Sequence, residues 1–262
     1  MGALASVHVA IEDAIGVIRV DRAPVNQLGN DVLDELIDAI VGLGARSEVR
    51  VVVVTGTGSK AFLAGADLEE FATMRLSEVA VAHHVARTHR LLDEIARCRV
   101  PVIAAVQAHA VGGGFEVALA CDLVVVDEDA KLGCPEVKLG LIPGAGGTQR
   151  LTALVGRLRS AEVILTGRLI GAQEAAAMGL VTKVAASGET VNAALRLGRD
   201  IAGRPAVAVQ CAKRAIRASE SAALPSGLEQ ERREFLSVLR SRDAAEGIGA
   251  FLDKREPAFT HQ

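Results

Sequence analysis

The segment from Val106 to Leu151 constrains the chain most, because two glycine-rich turns within it each deliver one glutamate. The first reads Val111-Gly112-Gly113-Gly114-Phe115-Glu116. The second reads Gly133-Cys134-Pro135-Glu136, followed by Ile142-Pro143-Gly144-Ala145-Gly146-Gly147-Thr148. Apolar, β-branched runs precede the turns, and Phe115 to Ala120 is a good helix-forming stretch, so a strand feeds a glycine turn that opens a helix. Residues without Cβ adopt unusual dihedrals and let a ligand approach the main chain. The first N–H groups of a helix have no intrahelical partner and carry the positive end of its dipole, which favours an oxygen gaining negative charge. Glu116 sits in the first turn of the same helix. The stretch offers donors for an oxyanion and, within a few residues, a carboxylate able to move a proton.

The flanking pattern alternates strand and helix. Val7 to Val20 reads as a hairpin around Glu12-Asp13, and the helix from about Asp31 to Leu43 is capped by Asn30 or Asp31 and buries Val32, Leu36, Ile37 and Ile40. Arg50 to Thr55 is a β-branched run suited to a strand buried on both sides. Gly56 to Asp67 reads as a small-residue loop that presents main chain to a ligand; its Gly-x-Gly-x-x-Ala lacks the βαβ context of a dinucleotide site. Ser77 to Cys98 is helical, with Val81, Val85, Thr88, Leu91, Leu92 and Ile95 as the inner stripe and His83-His84 at surface or interface positions. Pro101 ends that helix before a strand over Val102 to Val106. Leu123 to Val126 is a short strand, and Asp127-Glu128-Asp129 reads as a solvated turn. From about Val191 the pattern is helical, which divides the chain into a core over 1–195 and a helical region over 196–262.

Composition excludes several classes. The chain of 262 residues has no Trp or Tyr and only six Phe, so its core rests on aliphatic side chains and it has little with which to stack bases. A net charge of −3 and no long basic run argue against polyanion binding as its main business, and leave room for a local basic patch for one phosphorylated ligand. Cys98, Cys121, Cys134 and Cys211 have neither CxxC nor metal-ligand spacing and read as reduced thiols of a cytoplasmic protein. No secretory signal pattern and no membrane-spanning apolar run of roughly 18 residues is present. Neither central turn carries a serine-hydrolase nucleophile.

Four blocks in this order resemble the enoyl-CoA hydratase/isomerase, or crotonase, family. They are Ala61-Phe62-Leu63-Ala64-Gly65-Ala66-Asp67-Leu68; Pro101 to Val106 with the turn at Gly112 to Glu116; Cys121-Asp122-Leu123; and Pro135-Glu136 with Leu139 to Leu151. The resemblance covers essentially the whole chain. It implies an α/β fold, a spiral of ββα units with a C-terminal helical trimerisation region, and a homotrimer or a hexamer made of two trimers. It also implies an acyl-CoA thioester as substrate, CoA being part of that substrate, and no metal or redox cofactor.

By the same resemblance, Ala66 and Gly113 supply the oxyanion N–H groups, and Glu116 and Glu136 are the catalytic pair. Ala64, Asp67, Leu68, Gly112, Pro135 and Gly144 fall at positions touching the substrate, although Asp67 can equally cap the next helix. Lys60, Lys254 and Arg255 are candidates to meet CoA phosphates. Glutamates at both positions resemble the members that hydrate trans-2-enoyl-CoA in fatty-acid β-oxidation or related catabolism. An enoyl-CoA isomerase and a non-catalytic acyl-CoA- or RNA-binding homologue are the competing readings. One departure stands out: Asn26-Gln27-Leu28-Gly29 replaces the more usual Asn-Ala-Leu-Asn or Asn-Ala-Leu-Ser.

Overall fold

The computed structural model describes residues 6–74, 76–220 and 224–261. Its first elements are the expected hairpin, β1 (Val7–Glu12) and β2 (Ile15–Val20), antiparallel about Asp13 and Ala14 at positive φ. Helix α1 (Asn30–Ala45) buries Val32, Leu36, Ile37 and Ile40, the stripe its periodicity indicates. Its N-cap is Gly29, without a side-chain cap, rather than Asn30 or Asp31. Asn30 is instead the first helical residue, and its side chain is engaged by Glu70 and His84.

From here the chain winds in repeats. β3 (Val51–Gly56) and β4 (Ala61–Leu63) lead to α2 (Leu68–Met74) and α3 (Glu78–Arg97). β5 (Val102–Val106) and β6 (His109–Val111) lead to α4 (Gly113–Ala120). β7 (Leu123–Asp127) and β8 (Lys131–Gly133) lead through a 3-10 turn at Glu136–Leu139 to α5 (Gly147–Val155) and α6 (Arg157–Thr166). In each repeat the first strand joins a six-stranded sheet, β1-β2-β3-β5-β7-β10, and the second a four-stranded sheet, β4-β6-β8-β9. β9 (Ile170–Gly171), α7 (Ala172–Ala177) and β10 (Lys183–Ala185) close the two sheets. This is the spiral of ββα units that the resemblance implies.

The larger sheet is parallel except at β1–β2, and its centre is buried on both faces. Val52 and Val54 of β3 join the core formed with α1, α3 and α4, while Val51 and Val53 pack with Ala193, Ala194 and Leu195 of α8 (Thr190–Ala202). A continuous valine run, not an alternating one, suits such a strand. The boundary drawn at residue 195 falls inside α8. Beyond it lie α9 (Ala206–Ala218), α10 (Leu224–Leu239) and α11 (Arg242–Leu252). α9 is tied to the spiral through Asp122, which forms ion pairs with Lys213 Nζ at 2.8 Å and Arg217 Nη2 at 2.9 Å and accepts a hydrogen bond from Arg217 Nε at 3.0 Å.

Two readings of the sequence are overturned. Asp127 is not in a solvated turn but is 4 % exposed; its Oδ2 accepts from Gly188 N at 2.9 Å and Thr190 Oγ1 at 3.1 Å, fastening the loop before α8 to the end of β7. His84 is buried rather than at the surface, and Val85, placed in the inner stripe, is exposed. The stripe is rotated so that His84, Thr88, Leu91, Leu92 and Ile95 face inward. The partner that makes burial of His84 possible, Asn30, is 54 positions away in sequence.

Helix α4 runs so close beneath β4 that a Cβ on Gly114 would lie 1.9 Å from the Leu63 carbonyl oxygen. Gly114→Ala should therefore destabilise the fold by about 3 kcal/mol or more, through overpacking against backbone. Gly42→Ala in α1, where a Cβ meets nothing within 4 Å, should stabilise it by about 0.5–1 kcal/mol through helix propensity. Denaturant unfolding of the two variants beside the parent checks both signs.

Candidate active site

The turn before α2 and the turn before α4 meet backbone to backbone. Gly65 has φ +82°, and a Cβ on it would sit 2.9 Å from Val111 O and 3.1 Å from Gly113 N. Only glycine fits this approach. The Gly65 carbonyl is held by Leu28 N–H at 2.7 Å, which turns the following amide away from its own strand. Among the described residues, no acceptor pairs with the N–H of Ala66 or with that of Gly113. A Cβ built on Gly113 would lie 3.9 Å from Ala66 N, so the two donors belong to one small region. Both line a cavity of about 480 Å³.

The two glutamates line the same cavity. Glu116 is 2 % exposed, and its Oε1 accepts from Ala145 N at 2.9 Å and from Gly147 N at 2.7 Å. The second glycine turn thus clamps the glutamate of the first. Gly147 is confined to glycine by that clamp, because a Cβ there would approach Glu116 Oε1 to 2.9 Å. Around the clamp, Arg150 Nη1 donates to Ala145 O at 3.0 Å and His89 Nε2 to Gly144 O at 2.8 Å. Glu136 opens the 3-10 turn over Gly112, whose φ of +57° and missing side chain leave room for its carboxyl group; a Cβ there would lie 3.1 Å from Glu136 Oε1. Its Oε2 is buried with no hydrogen-bond partner among the described residues.

These surroundings separate the two acids. Burial raises the pKa of Glu116 above the ordinary carboxylate value, and the N–H groups of Gly147 and Ala145 offset part of that rise. Burial, with the charge of Glu116 added, pushes Glu136 up to about 7, against a smaller opposing effect of its own N–H. Glu136, with its pKa near 7, is poised to carry a proton near neutral pH, while the two N–H groups on Glu116 favour its charged form against the effect of burial. Such a pair beside two bare amides can exchange protons with a substrate whose carbonyl is gaining negative charge.

Of the other residues selected from sequence, Ala64, Leu68, Gly112, Pro135 and Gly144 line the cavity. Asp67 does not. Its Oδ1 accepts from the N–H groups of Glu69 at 3.1 Å and Glu70 at 3.2 Å, which makes it the cap of α2. Lys60 and Lys254 are exposed and stand outside the cavity wall. The Gln27–Gly29 departure also acquires a physical reason: a Cβ on Gly29 would meet Arg22 Nη1 at 2.5 Å and Asp31 Oδ1 at 2.7 Å, where those two side chains pair. Phe71, His84, Val85 and Thr88 complete the wall from α2 and α3 and were not singled out as site residues from sequence. The i, i+4 spacing of His84 and Thr88 on the face that carries Leu91 and Leu92 is the signal that would have located two of them.

With this geometry in place, comparison with known proteins defines the class. The family description "Enoyl-CoA hydratase/isomerase" matches residues 10–262, and the chain belongs to that family. It is 37 % identical over 252 residues to the probable enoyl-CoA hydratase echA8 of Mycobacterium tuberculosis, covering 96 % of each chain. It is 41 % identical over 234 residues to the 2,3-dehydroadipyl-CoA hydratase of Escherichia coli, covering 89 % of this chain and 90 % of the relative. The crystal structure of enoyl-CoA hydratase from Bacillus anthracis superposes with a TM-score of 0.93 at 37 % identity, over 98 % of this chain and 100 % of the other. Among the described residues no cluster of side chains could hold a metal ion, and no helix is long and apolar enough to cross a membrane.

The raised pKa of Glu136 has a consequence for stability. A carboxyl whose pKa is higher folded than unfolded binds its proton more tightly in the native state, so its contribution is fully present below about 4.5 and is lost as pH rises through about 7. Glu136→Gln removes that loss. The variant should melt at the parent temperature near pH 4.5 and at a higher temperature than the parent at pH 8, as differential scanning calorimetry at the two pH values would record.

Proposed function

We propose that the chain is an enoyl-CoA hydratase that adds water reversibly across the double bond of trans-2-enoyl-CoA to give 3-hydroxyacyl-CoA, in fatty-acid β-oxidation or related acyl-CoA catabolism. One observation carries the reading: two buried acids and two unpartnered main-chain N–H groups line one cavity. Conjugate addition of water needs a base for the water, a proton for the α-carbon and a sink for the charge reaching the thioester oxygen. In this assignment the N–H groups of Ala66 and Gly113 receive the oxygen, where a donor is worth roughly 3 kcal/mol of transition-state stabilisation. Glu116, whose Oε1 accepts from the N–H groups of Ala145 and Gly147, orients and deprotonates the water. Glu136 delivers the proton to the α-carbon and, in the reverse direction, removes it. The clamp on Glu116 favours a hydratase over an isomerase, which needs only one proton shuttle at Glu136.

The wider assignments follow from the same reading. CoA enters as part of the substrate, with no separate cofactor, and nucleic acid and membrane are not partners. Lys60 and Lys254 stand where exposed charge is available to CoA phosphates. A homotrimer, alone or paired as a hexamer, would cover apolar side chains that the helical region leaves open, among them Ile216, Phe235 and Phe251, 67 %, 61 % and 82 % exposed. Four unpaired, buried cysteines support a reducing, cytoplasmic setting.

Loss of the enone absorbance of crotonyl-CoA in water tests the activity, since an isomerase leaves it intact. Glu116→Gln and Glu136→Gln should each lower kcat by about 10²–10⁴-fold with KM changed little. Near-parental turnover by either variant would end the two-acid mechanism. The pH profile carries the sign of the pair. Hydration requires Glu136 protonated, so kcat/KM should fall as pH rises above about 7, whereas dehydration of 3-hydroxybutyryl-CoA requires its carboxylate and should fall below that pH.

A further inference from the structure

The α3 wall of the cavity carries a polar atom that the proposed chemistry leaves unused. His84 is 7 % exposed, lines the cavity, and stands one helical turn before Thr88 on the same face. Its Nδ1 lies 3.1 Å from Oδ1 of Asn30. The Asn30 amide is oriented by Glu70: Asn30 Nδ2 donates to Glu70 Oε1, and a carboxylate only accepts. Oδ1 therefore faces the imidazole, and the ring proton sits on Nδ1. Burial holds the pKa of His84 below its ordinary value, assisted by Arg87 and opposed by Glu70, so the neutral ring dominates near pH 7. In that tautomer Nε2 is a bare acceptor, and among the described residues it has no partner. The ring is braced by Phe71, edge-on with centroids 6.3 Å apart. Thr88 offers no alternative donor, because its hydroxyl is committed to the His84 carbonyl at 3.0 Å.

An acceptor fixed among the apolar side chains of Phe71, Val85, Leu141 and Ile142 discriminates between acyl chains. An alkyl chain filling the space beside Val85, Leu141 and Ile142 would strip water from Nε2 and leave it unpaired, at a cost larger than the net gain of an ordinary hydrogen bond. A chain carrying O–H or N–H at that depth would replace the water.

We propose that His84 is a specificity-determining residue that selects enoyl thioesters whose acyl chain bears a hydrogen-bond donor, a hydroxyl or an amide N–H, over unsubstituted alkyl chains. The assignment rests on the hydratase reading, and the Asn30–Glu70 pair is what keeps the acceptor pointed into the cavity.

The test compares kcat/KM for ω-hydroxy-trans-2-enoyl-CoA thioesters of six and eight carbons with the unsubstituted thioesters of equal length. Crotonyl-CoA, too short to carry such a group, reports the underlying reaction. The parent protein should prefer the better-fitting hydroxylated thioester by about five- to tenfold, the worth of one neutral hydrogen bond. In His84→Leu that ratio should fall to about one, and in His84→Gln, which restores an acceptor, part of it should return. The ratio is taken within one preparation, so an incompletely folded variant does not distort it. A parental ratio of one or below at both lengths overturns the proposal even if no variant folds, and so does a His84→Leu ratio equal to the parent's. If the parent hydrates crotonyl-CoA, those failures concern His84 alone; if it does not, the hydratase reading fails and this assignment falls with it.

Discussion

The site depends on one contact between two pieces of main chain. Gly65 lies against Val111 and Gly113 so closely that a methyl group on Gly65 would reach the Val111 carbonyl at 2.9 Å. Each segment ends a short strand of the four-stranded sheet, β4 or β6, and these strands are parallel neighbours. Their pairing sets two successive turns side by side at the same end of the sheet. The donors of Ala66 and Gly113 therefore owe their positions to the register of a sheet rather than to flexible side chains, and rigid donors need no reorganisation as charge develops. The larger sheet supplies support: with its central strands buried on both faces, it fixes where each spiral turn begins.

The second constraint is electrostatic. Two carboxyl groups share a largely apolar cavity, and what differentiates them is hydrogen bonding. Glu116 receives two amides from the Ala145–Gly147 segment, while Glu136 keeps one oxygen buried and unpaired. An unpaired buried carboxylate oxygen is costly as an anion, and protonation relieves that cost. The acid with fewer partners is the one whose pKa is pushed up to about 7, so local wiring, not residue type, sets the two apart.

Much of this was legible in the sequence because it was written in local patterns. The valine run of β3, the amphipathic stripe of α1 and the glycine turn ahead of Glu116 all depend on residues a few positions apart. Four short blocks in a fixed order resemble a known family, and the four residues that the resemblance singles out, Ala66, Gly113, Glu116 and Glu136, all line one cavity. What escaped depends on distant partners. His84 looked like a surface residue because Asn30 lies 54 positions earlier, and Asp127 looked solvated because Gly188 and Thr190 follow about sixty positions later. The departure at Gly29 has its reason in the Arg22–Asp31 pair, which fills the space a side chain there would need. Polar residues whose partners are far off in sequence show nothing of those partners locally; for His84 the one local sign is its i, i+4 spacing to Thr88 on the buried face.

The clamp ties the carboxyl group of Glu116 to the integrity of a single loop. Its two amides come from residues 29 and 31 positions downstream, in a connection outside both sheets. Fluctuations that lift this connection would release the carboxylate to water while the strands stay paired, because such openings involve far fewer contacts than global unfolding. On gentle warming, the protein would fall silent before it came apart.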